Sequence, residues 1–351
     1  MKAARLYGAH DVRLEDVATP DLRPGTALVR VRSVGLCGSD LHYFREGRIG
    51  NSLTEAPLVL GHEFAGEVVT LAPDAPGAPQ GGGLRPGAAA AVDPAIPCGG
   101  CEQCLAGNPN LCPDVRFCGT PPTDGGLQEY ITWPVHLLYP LPEGISYDVG
   151  ALLEPLGVLI HACDLAKIKL ADTVAVLGAG PIGLLAVTLA KLSGAAKVIA
   201  TDVIPERIAA AQAFGADAAA DARQVDLGRW IREQTSGRGV DVAIECAGAP
   251  ETPGQAVDAV RAGGRVVLVG IPSDDRIDLA AAPARRKGVT IKLCRRMKHA
   301  YPRALALVRA GMVDLEHLAT HHFPLDRTPE AFECLDRGEG GVLKAMVEVG
   351  T

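Results

Sequence analysis

The chain has 351 residues, 48% of them apolar, which supplies core material for two domains. A net charge of -7 with no long Lys/Arg run argues against nucleic acid or an anionic membrane as a main partner. The opening residues, Met1-Lys2-Ala3-Ala4-Arg5-Leu6-Tyr7, carry charges that interrupt any signal-peptide core, so a reducing cytoplasm is expected.

The first segment reads as β-rich. Val29-Arg30-Val31-Arg32 alternates apolar and charged residues as a half-buried strand does, and Phe64–Val69 and Ala88–Val92 read as short strands between Gly/Pro turns. A compact barrel is predicted, with Ala72–Gly87, rich in Pro, Gly and Ala, as an exposed loop. Inside this segment stand Cys37 and the pair His62-Glu63. A thiolate, an imidazole and a carboxylate form the mixed donor set of a catalytic zinc that keeps one position open, and they leave the metal neutral enough to polarise an alcohol oxygen. A second carboxylate, Glu154 in Ala151-Leu152-Leu153-Glu154-Pro155, sits in an apolar run where an unpaired charge is costly. Only one of Glu63 and Glu154 is expected to bind directly, the other acting through water or exchanging during turnover. Asp40 suits the task of accepting the outer N–H of His62.

A cysteine lobe follows, with Cys98, Cys101, Cys104 and Cys112 spaced C-x2-C-x2-C-x7-C. Four thiolates close a tetrahedral zinc site and leave no position for substrate, so its value is structural. An iron–sulfur cluster is the competing metal, but its bacterial pattern has x3 where this chain has x7 before Cys112-Pro113; disulfides compete as well. Cys118, Cys163, Cys246, Cys294 and Cys334 follow no pattern and read as small buried side chains.

From about Leu156 strands and helices alternate. Thr173–Ala190 runs 18 residues without a charge, nominally enough for a membrane span, but Gly178, Gly180, Pro181 and Gly183 break it into strand, turn and helix. Val174–Leu177 enters the loop Gly178-Ala179-Gly180-Pro181-Ile182-Gly183, after which Ile182, Leu185, Ala186 and Leu189 recur at helical spacing. Such glycines make a tight turn, let backbone approach a pyrophosphate and pack helix on strand. The next strand, Lys197–Thr201, ends at Asp202, 19 residues past Gly183, where an acid accepts from ribose hydroxyls and repels a 2′-phosphate. Arg207 is expected near the adenine. Further units at Val240–Ile244, Gln255–Val260, Arg265–Val269 and Val289–Leu293 complete a doubly wound parallel sheet. A helix near Tyr301–Ala310 and a last β segment form a tail too small for a domain, which is expected to rejoin the barrel. The divisions are 1–155, 156–293 and 294–351.

Together these stretches resemble the zinc-containing medium-chain dehydrogenase/reductase family, and within it the sorbitol (polyol) dehydrogenase branch. The resemblance covers essentially the whole chain and rests on Gly35-Leu36-Cys37-Gly38-Ser39-Asp40-Leu41-His42-Tyr43, Gly47-Arg48-Ile49-Gly50-Asn51, Gly61-His62-Glu63, Phe117-Cys118-Gly119-Thr120-Pro121-Pro122, Glu154-Pro155-Leu156 and the Gly178–Gly183 loop. It implies an α/β chain with a GroES-like β-barrel catalytic domain and a Rossmann NAD-binding domain, the active site lying in the cleft between them. It implies zinc on Cys37, His62 and Glu63, with Glu154 reaching the metal through water. It also implies a proton relay through Ser39 and His42, a substrate pocket of Tyr43, Phe117, Thr120 and Arg296, and Asp202 at the adenosine ribose. Two zinc ions per chain, NAD and a homotetramer complete the expectation. The function implied is oxidation of a polyol such as sorbitol or xylitol to a ketose. The rivals are threonine or 2,3-butanediol as substrate, and a non-catalytic NAD(H)-binding member. Met297 stands where the animal branch carries tyrosine, and the intact cysteine lobe departs from that branch too. Read by itself, Arg296 has the alternative of being one more solvated charge in Arg295-Arg296-Met297-Lys298.

Overall fold

A computed structural model describes residues 1–54, 57–75 and 84–350, which form two compact units, Met1–Pro155 with Tyr301–Thr351, and Leu156–Ala300. The first unit is built on strand Thr26–Gly35. Its even-spaced apolar residues Ala27, Val29 and Val31 are fully buried while Arg30 and Arg32 lie on the other face, as the alternation predicts. Arg30 then donates to Tyr130 Oη at 3.2 Å and Arg32 pairs with Glu67 at 3.1 Å, so the polar face is hydrogen-bonded too.

This strand pairs antiparallel with Glu63–Leu71 along nearly its whole length. On its other side it meets Tyr130–Pro134 through its first half and Lys344–Glu348 through its last residues, Val34 facing Val347. The C-terminal tail therefore closes the N-terminal barrel sheet. The tail also supplies helix Thr328–Arg337, whose Phe332 stacks on Phe44 of helix Gly38–Glu46 at 5.0 Å, while Arg45 pairs with Asp336. That contact fixes the helix whose first turn holds Cys37, Ser39 and Asp40. Of the predicted loop Ala72–Gly87, residues 76–83 lie outside the described residues, and both flanking apolar residues, Ala72 and Leu84, are buried.

The second unit carries six parallel strands in the order Ala218–Asp221, Lys197–Asp202, Thr173–Leu177, Val240–Glu245, Val260–Leu268, Thr290–Leu293. In chain order this is 3-2-1-4-5-6, the doubly wound arrangement whose order reverses beside the first strand, where such sheets bind dinucleotides. One strand begins earlier than predicted: Val260 pairs with Val240 and the next paired residue is Arg265, so Arg261–Gly264 bulges out, with Gly263 at φ 69°. Helix Tyr147–Ala166 is long and apolar enough to cross a membrane, yet 78% of its apolar window is buried inside the protein. It holds Glu154 and an internal Pro155.

The unpatterned cysteines divide. Cys118 and Cys334 are buried as predicted, but Cys163, Cys246 and Cys294 are only half-buried. Cys246 and Cys294 each follow directly on the last residue of a parallel strand, Glu245 and Leu293, where the chain leaves the closed interior of the sheet.

Candidate active site

The site begins with two turns tied by one carboxylate. Cys37 is the residue before helix Gly38–Glu46, and its N–H donates to Asp40 Oδ2 at 2.9 Å in the first turn. The other oxygen of Asp40 accepts from Gly61 N at 3.3 Å and lies 3.4 Å from His62 Nδ1. Asp40 thereby locks the Cys37 segment to the Gly61-His62-Glu63 segment and leaves Nε2 of His62 for other partners. Gly61 has φ 90°, and a side chain there would press on Val34 at 2.7 Å. One ligand atom each from Cys37, His62 and Glu63 lie within 4.8 Å of one another, with His62 and Glu63 buried. This spacing suits a metal ion. Burial works against charge on both His62 and Asp40, but their attraction overrides it: Asp40 is held below the usual carboxylate range and His62 well above its ordinary value, with Cys37 adding to the rise. A cation that takes His62 Nε2 therefore displaces a proton.

A residue absent from the sequence reading completes this cluster. Lys344 donates to Glu63 Oε1 at 2.9 Å, Glu63 Oε2 at 2.7 Å and Leu36 O at 3.0 Å, using all its protons. Both side chains are buried, at 4% and 0% exposure. Its signal is a single charge inside Val342-Leu343-Lys344-Ala345-Met346-Val347, a run otherwise apolar. A Cβ on Gly35 would sit 2.5 Å from Glu63 Oε2, so glycine leaves that oxygen room where it stands.

Glu154 is buried and stands outside the set whose ligand atoms lie within 4.8 Å. Burial first, then the charges of Glu63 and Asp93, push its carboxyl up to about 8 against the partial relief given by His62. Because the folded value exceeds the ordinary one near 4.5, its stabilising share is intact at pH 4 and is lost as pH rises towards and through 8. Glu154→Gln is therefore expected to match wild type at pH 5 and exceed it at pH 9 by on the order of 3 kcal/mol. Thermal melts at the two pH values check this, and an equal difference at both would contradict it. Nearby, Tyr301 stacks on Tyr139 at 4.6 Å and donates to Val92 O at 2.6 Å.

The other residues picked out from the sequence surround the donors in part. Ser39 Oγ is 3.5 Å from His62 Nε2, and the Phe117 ring is 5.3 Å from the His62 ring. Tyr43 Oη meets Ser52 Oγ at 2.8 Å and also interacts with Thr120. Ser52 is placed there by the two-residue turn of hairpin Arg48–Ile49 and Ser52–Leu53, which gives the Gly47–Asn51 stretch its structural role. His42 lies half-buried one turn after Ser39 on the same helix. Arg296 belongs to the second unit, half-buried at φ 52°. Its neighbour Met297 is buried with its sulfur filling the space over Gly157, where a Cβ would come within 2.7 Å.

The cysteine lobe gathers Cys98, Cys101, Cys104 and Cys112, with sulfurs within 4.8 Å of one another. Cys98 Sγ accepts from Cys101 N at 3.3 Å, Cys101 Sγ from Cys104 N at 3.5 Å and Cys112 Sγ from Cys98 N at 3.3 Å. Backbone donors aimed at sulfur favour thiolates: those of Gly100 and Cys101 pull Cys98 down to about 7. Cys104 is pushed up to about 12 by desolvation and then by the hydrogen bond of its thiol with Cys101, which keeps the proton on its sulfur. The donor set fits a closed zinc site.

In the second unit, Gly178 takes φ 92° where a side chain would strike Ala247 N at 2.8 Å, and a Cβ on Gly183 would be 1.8 Å from Gly178 O. Gly180, before helix Pro181–Leu192, is different: a Cβ there meets only the Arg207 guanidinium, at 3.6 Å. This open cradle at a helix N-terminus, flanked by Pro181 and Ile182, fits a pyrophosphate, and the guanidinium of Arg207 borders it. Asp202 ends strand Lys197–Asp202 and accepts from Ala179 N at 2.6 Å, Val203 N at 2.7 Å and Ile204 N at 3.0 Å.

A model of the alcohol dehydrogenase GroES-like domain matches residues 23–143, and one of the zinc-binding dehydrogenases matches residues 181–310. The sorbitol dehydrogenase of Bacillus subtilis (strain 168) is 38% identical over 347 residues, covering 99% of this chain and 97% of its own. Among solved structures, a putative zinc-binding dehydrogenase from Sinorhizobium meliloti 1021 bound to NADP superposes with TM-score 0.89 at 32% identity, covering 99% and 98% of the two chains. The 2R,3R-butanediol dehydrogenase of Bacillus subtilis does so with TM-score 0.87 at 32% identity and 99% coverage of both. With a metal-donor set in a GroES-like barrel unit and a phosphate cradle in a doubly wound one, the chain belongs to the zinc-containing medium-chain dehydrogenase/reductase family.

Proposed function

We propose that this chain oxidises a secondary alcohol of a polyol to a ketose with NAD+, as a cytoplasmic homotetramer with two zinc ions per chain. Cys37, His62 and Glu63 would hold the catalytic ion, and Cys98, Cys101, Cys104 and Cys112 the structural one. The observation that carries the reading is the set of half-buried Cys37 with buried His62 and Glu63, together with the hydrogen-bonded hydroxyl of Tyr43, which feels the charge of His62. When bound there, zinc polarises an alcohol oxygen and eases loss of its proton, and the nicotinamide takes the hydride.

The chain's own residues do the rest. Asp40 turns Nε2 of His62 towards the other donors, and the Ser39 hydroxyl beside it leads along one helix face to His42, which offers one outward route for the proton. Glu154, acting through bound water, offers another. Tyr43, Thr120 and Arg296 supply fixed donors and acceptors that a polyol satisfies and a simple alcohol leaves unpaired, with Phe117 as the apolar wall. Asp202, at the end of its strand, accepts from ribose hydroxyls and repels a 2′-phosphate, which favours NAD over NADP. The likeness to a butanediol dehydrogenase favours a second reading, a smaller secondary alcohol as substrate.

One set of rates separates them: specificity constants for xylitol, sorbitol, galactitol, threonine and 2,3-butanediol, with NAD+ and NADP+, in wild type and Arg296→Ala. A polyol with NAD+ is expected to be best, and Arg296→Ala to lower that constant about 100-fold. The polyol reading fails if butanediol is best and the substitution leaves the order unchanged. Equal efficiency with both cofactors contradicts the role of Asp202, and a light-scattering mass near 36.5 kDa contradicts the tetramer.

A further inference from the structure

Strand pairing brings together Glu63, at the start of its strand, and Lys344, which are 281 residues apart in sequence. Lys344 spans both oxygens of the carboxylate, and Oε2 lies so close to Gly35 that a Cβ there would come within 2.5 Å of it. The third proton of Lys344 goes to Leu36 O, one residue before Cys37, so the ammonium is anchored to the same turn as the thiolate donor. A carboxylate engaged in this way by a buried cation has given away much of the negative charge a metal would use.

From this the geometry points to Lys344 as a built-in counter-ion that competes with the metal for Glu63: it keeps the donor in place before the ion arrives and weakens the Glu63–metal bond afterwards. The inference rests on the assignment of zinc to Cys37, His62 and Glu63. With Cys37 and Glu63 anionic and Lys344 cationic, a divalent ion in that set carries a residual positive charge of about one where the three donors alone would cancel it. Lys344 is a positioning residue. It touches Glu63 and never needs to touch substrate.

The consequence runs opposite to that of an ordinary structural contact. Removing a structural lysine loosens a metal site, whereas removing this one frees a strong donor and deletes a repelling charge. The test is competition between the protein and a soluble chelator, dipicolinate, for the more weakly held zinc equivalent. Lys344→Met is expected to bind that zinc about tenfold or more tightly than wild type while its zinc-free form melts at lower temperature, because Glu63 is then buried unpaired. Lys344→Arg should restore wild-type affinity, and Lys344→Met/Glu63→Gln should abolish the gain. A folded Lys344→Met with unchanged or weaker zinc binding overturns the proposal. Should Lys344→Met fail to fold, Glu63→Gln alone decides: a loss of zinc affinity under about tenfold is expected, and a larger loss overturns the proposal. A wild type that takes up only one zinc per chain overturns both the inference and the metal assignment on which it stands.

Discussion

Cys37→Ser is expected to lower kcat/KM by at least about a thousandfold and to leave a folded protein, since zinc's transition-state charge stabilisation is worth several kcal/mol. A serine hydroxyl stays protonated near neutral pH and is a poor zinc donor, so the set shrinks to His62 and a Glu63 already engaged by Lys344. The fold tolerates the change because the backbone contacts of Cys37 stay, its N–H donating to Asp40 and its carbonyl accepting from Leu41 N at 3.2 Å, and a serine hydroxyl can still take up the side-chain contacts with the Asp40 N–H and with His62. The side chain is only half-buried, so replacing sulfur by oxygen opens little cavity. Zinc content, circular dichroism and kcat/KM on the same sample check the result. Retention of a tenth or more of the activity would sink the catalytic assignment of Cys37.

Cys101→Ser is expected to act on stability instead. Between Cys98 and Cys112 only Asn110 and Cys112 are buried, while Leu105 and Leu111 are exposed at 77% and 45%. A lobe that buries so little has no hydrophobic core to hold its shape, so the metal must. Cys101 has a second task, since its sulfur caps the short helix Glu102–Leu105 by accepting from Cys104 N. Losing metal and cap together is expected to cost about 4 kcal/mol or more. The expected signs are a lower melting temperature, a fall in zinc from two equivalents to one, and a kcat/KM for the surviving folded fraction that falls far less than in Cys37→Ser. Iron with visible absorbance in the wild type would overturn the assignment of zinc to the lobe, and an unchanged melting temperature would show that the lobe needs no metal.

The two predictions differ because two donor sets of similar chemistry sit in different surroundings, and that difference is only half legible in the chain. Cys98, Cys101, Cys104 and Cys112 fall within 15 consecutive residues, and their spacing by itself brings four sulfurs together. The cofactor loop is as local: Gly178, Gly180 and Gly183 have their separate tasks inside six residues, and the strand before and helix after are plain from apolar periodicity. Cys37 and Asp40 likewise share one helical turn. Alternation marked which face of Thr26–Gly35 is buried. What alternation does not carry is the partner across the sheet, because a period of two fixes a side chain's face and leaves its neighbouring strand open. For that reason Lys344 on Glu63, Gly35 under the same carboxylate and Tyr301 against Val92 came only with the tertiary structure. The charge state of Glu154 belongs to the same class. Its apolar neighbours in sequence announced that a charge there is costly, but the push to about 8 comes from complete burial together with Glu63 and Asp93, groups remote in sequence. Chemistry that depends on contiguous residues was readable from the chain, and chemistry that depends on the local dielectric and on charges brought in by strand pairing was decided by the fold.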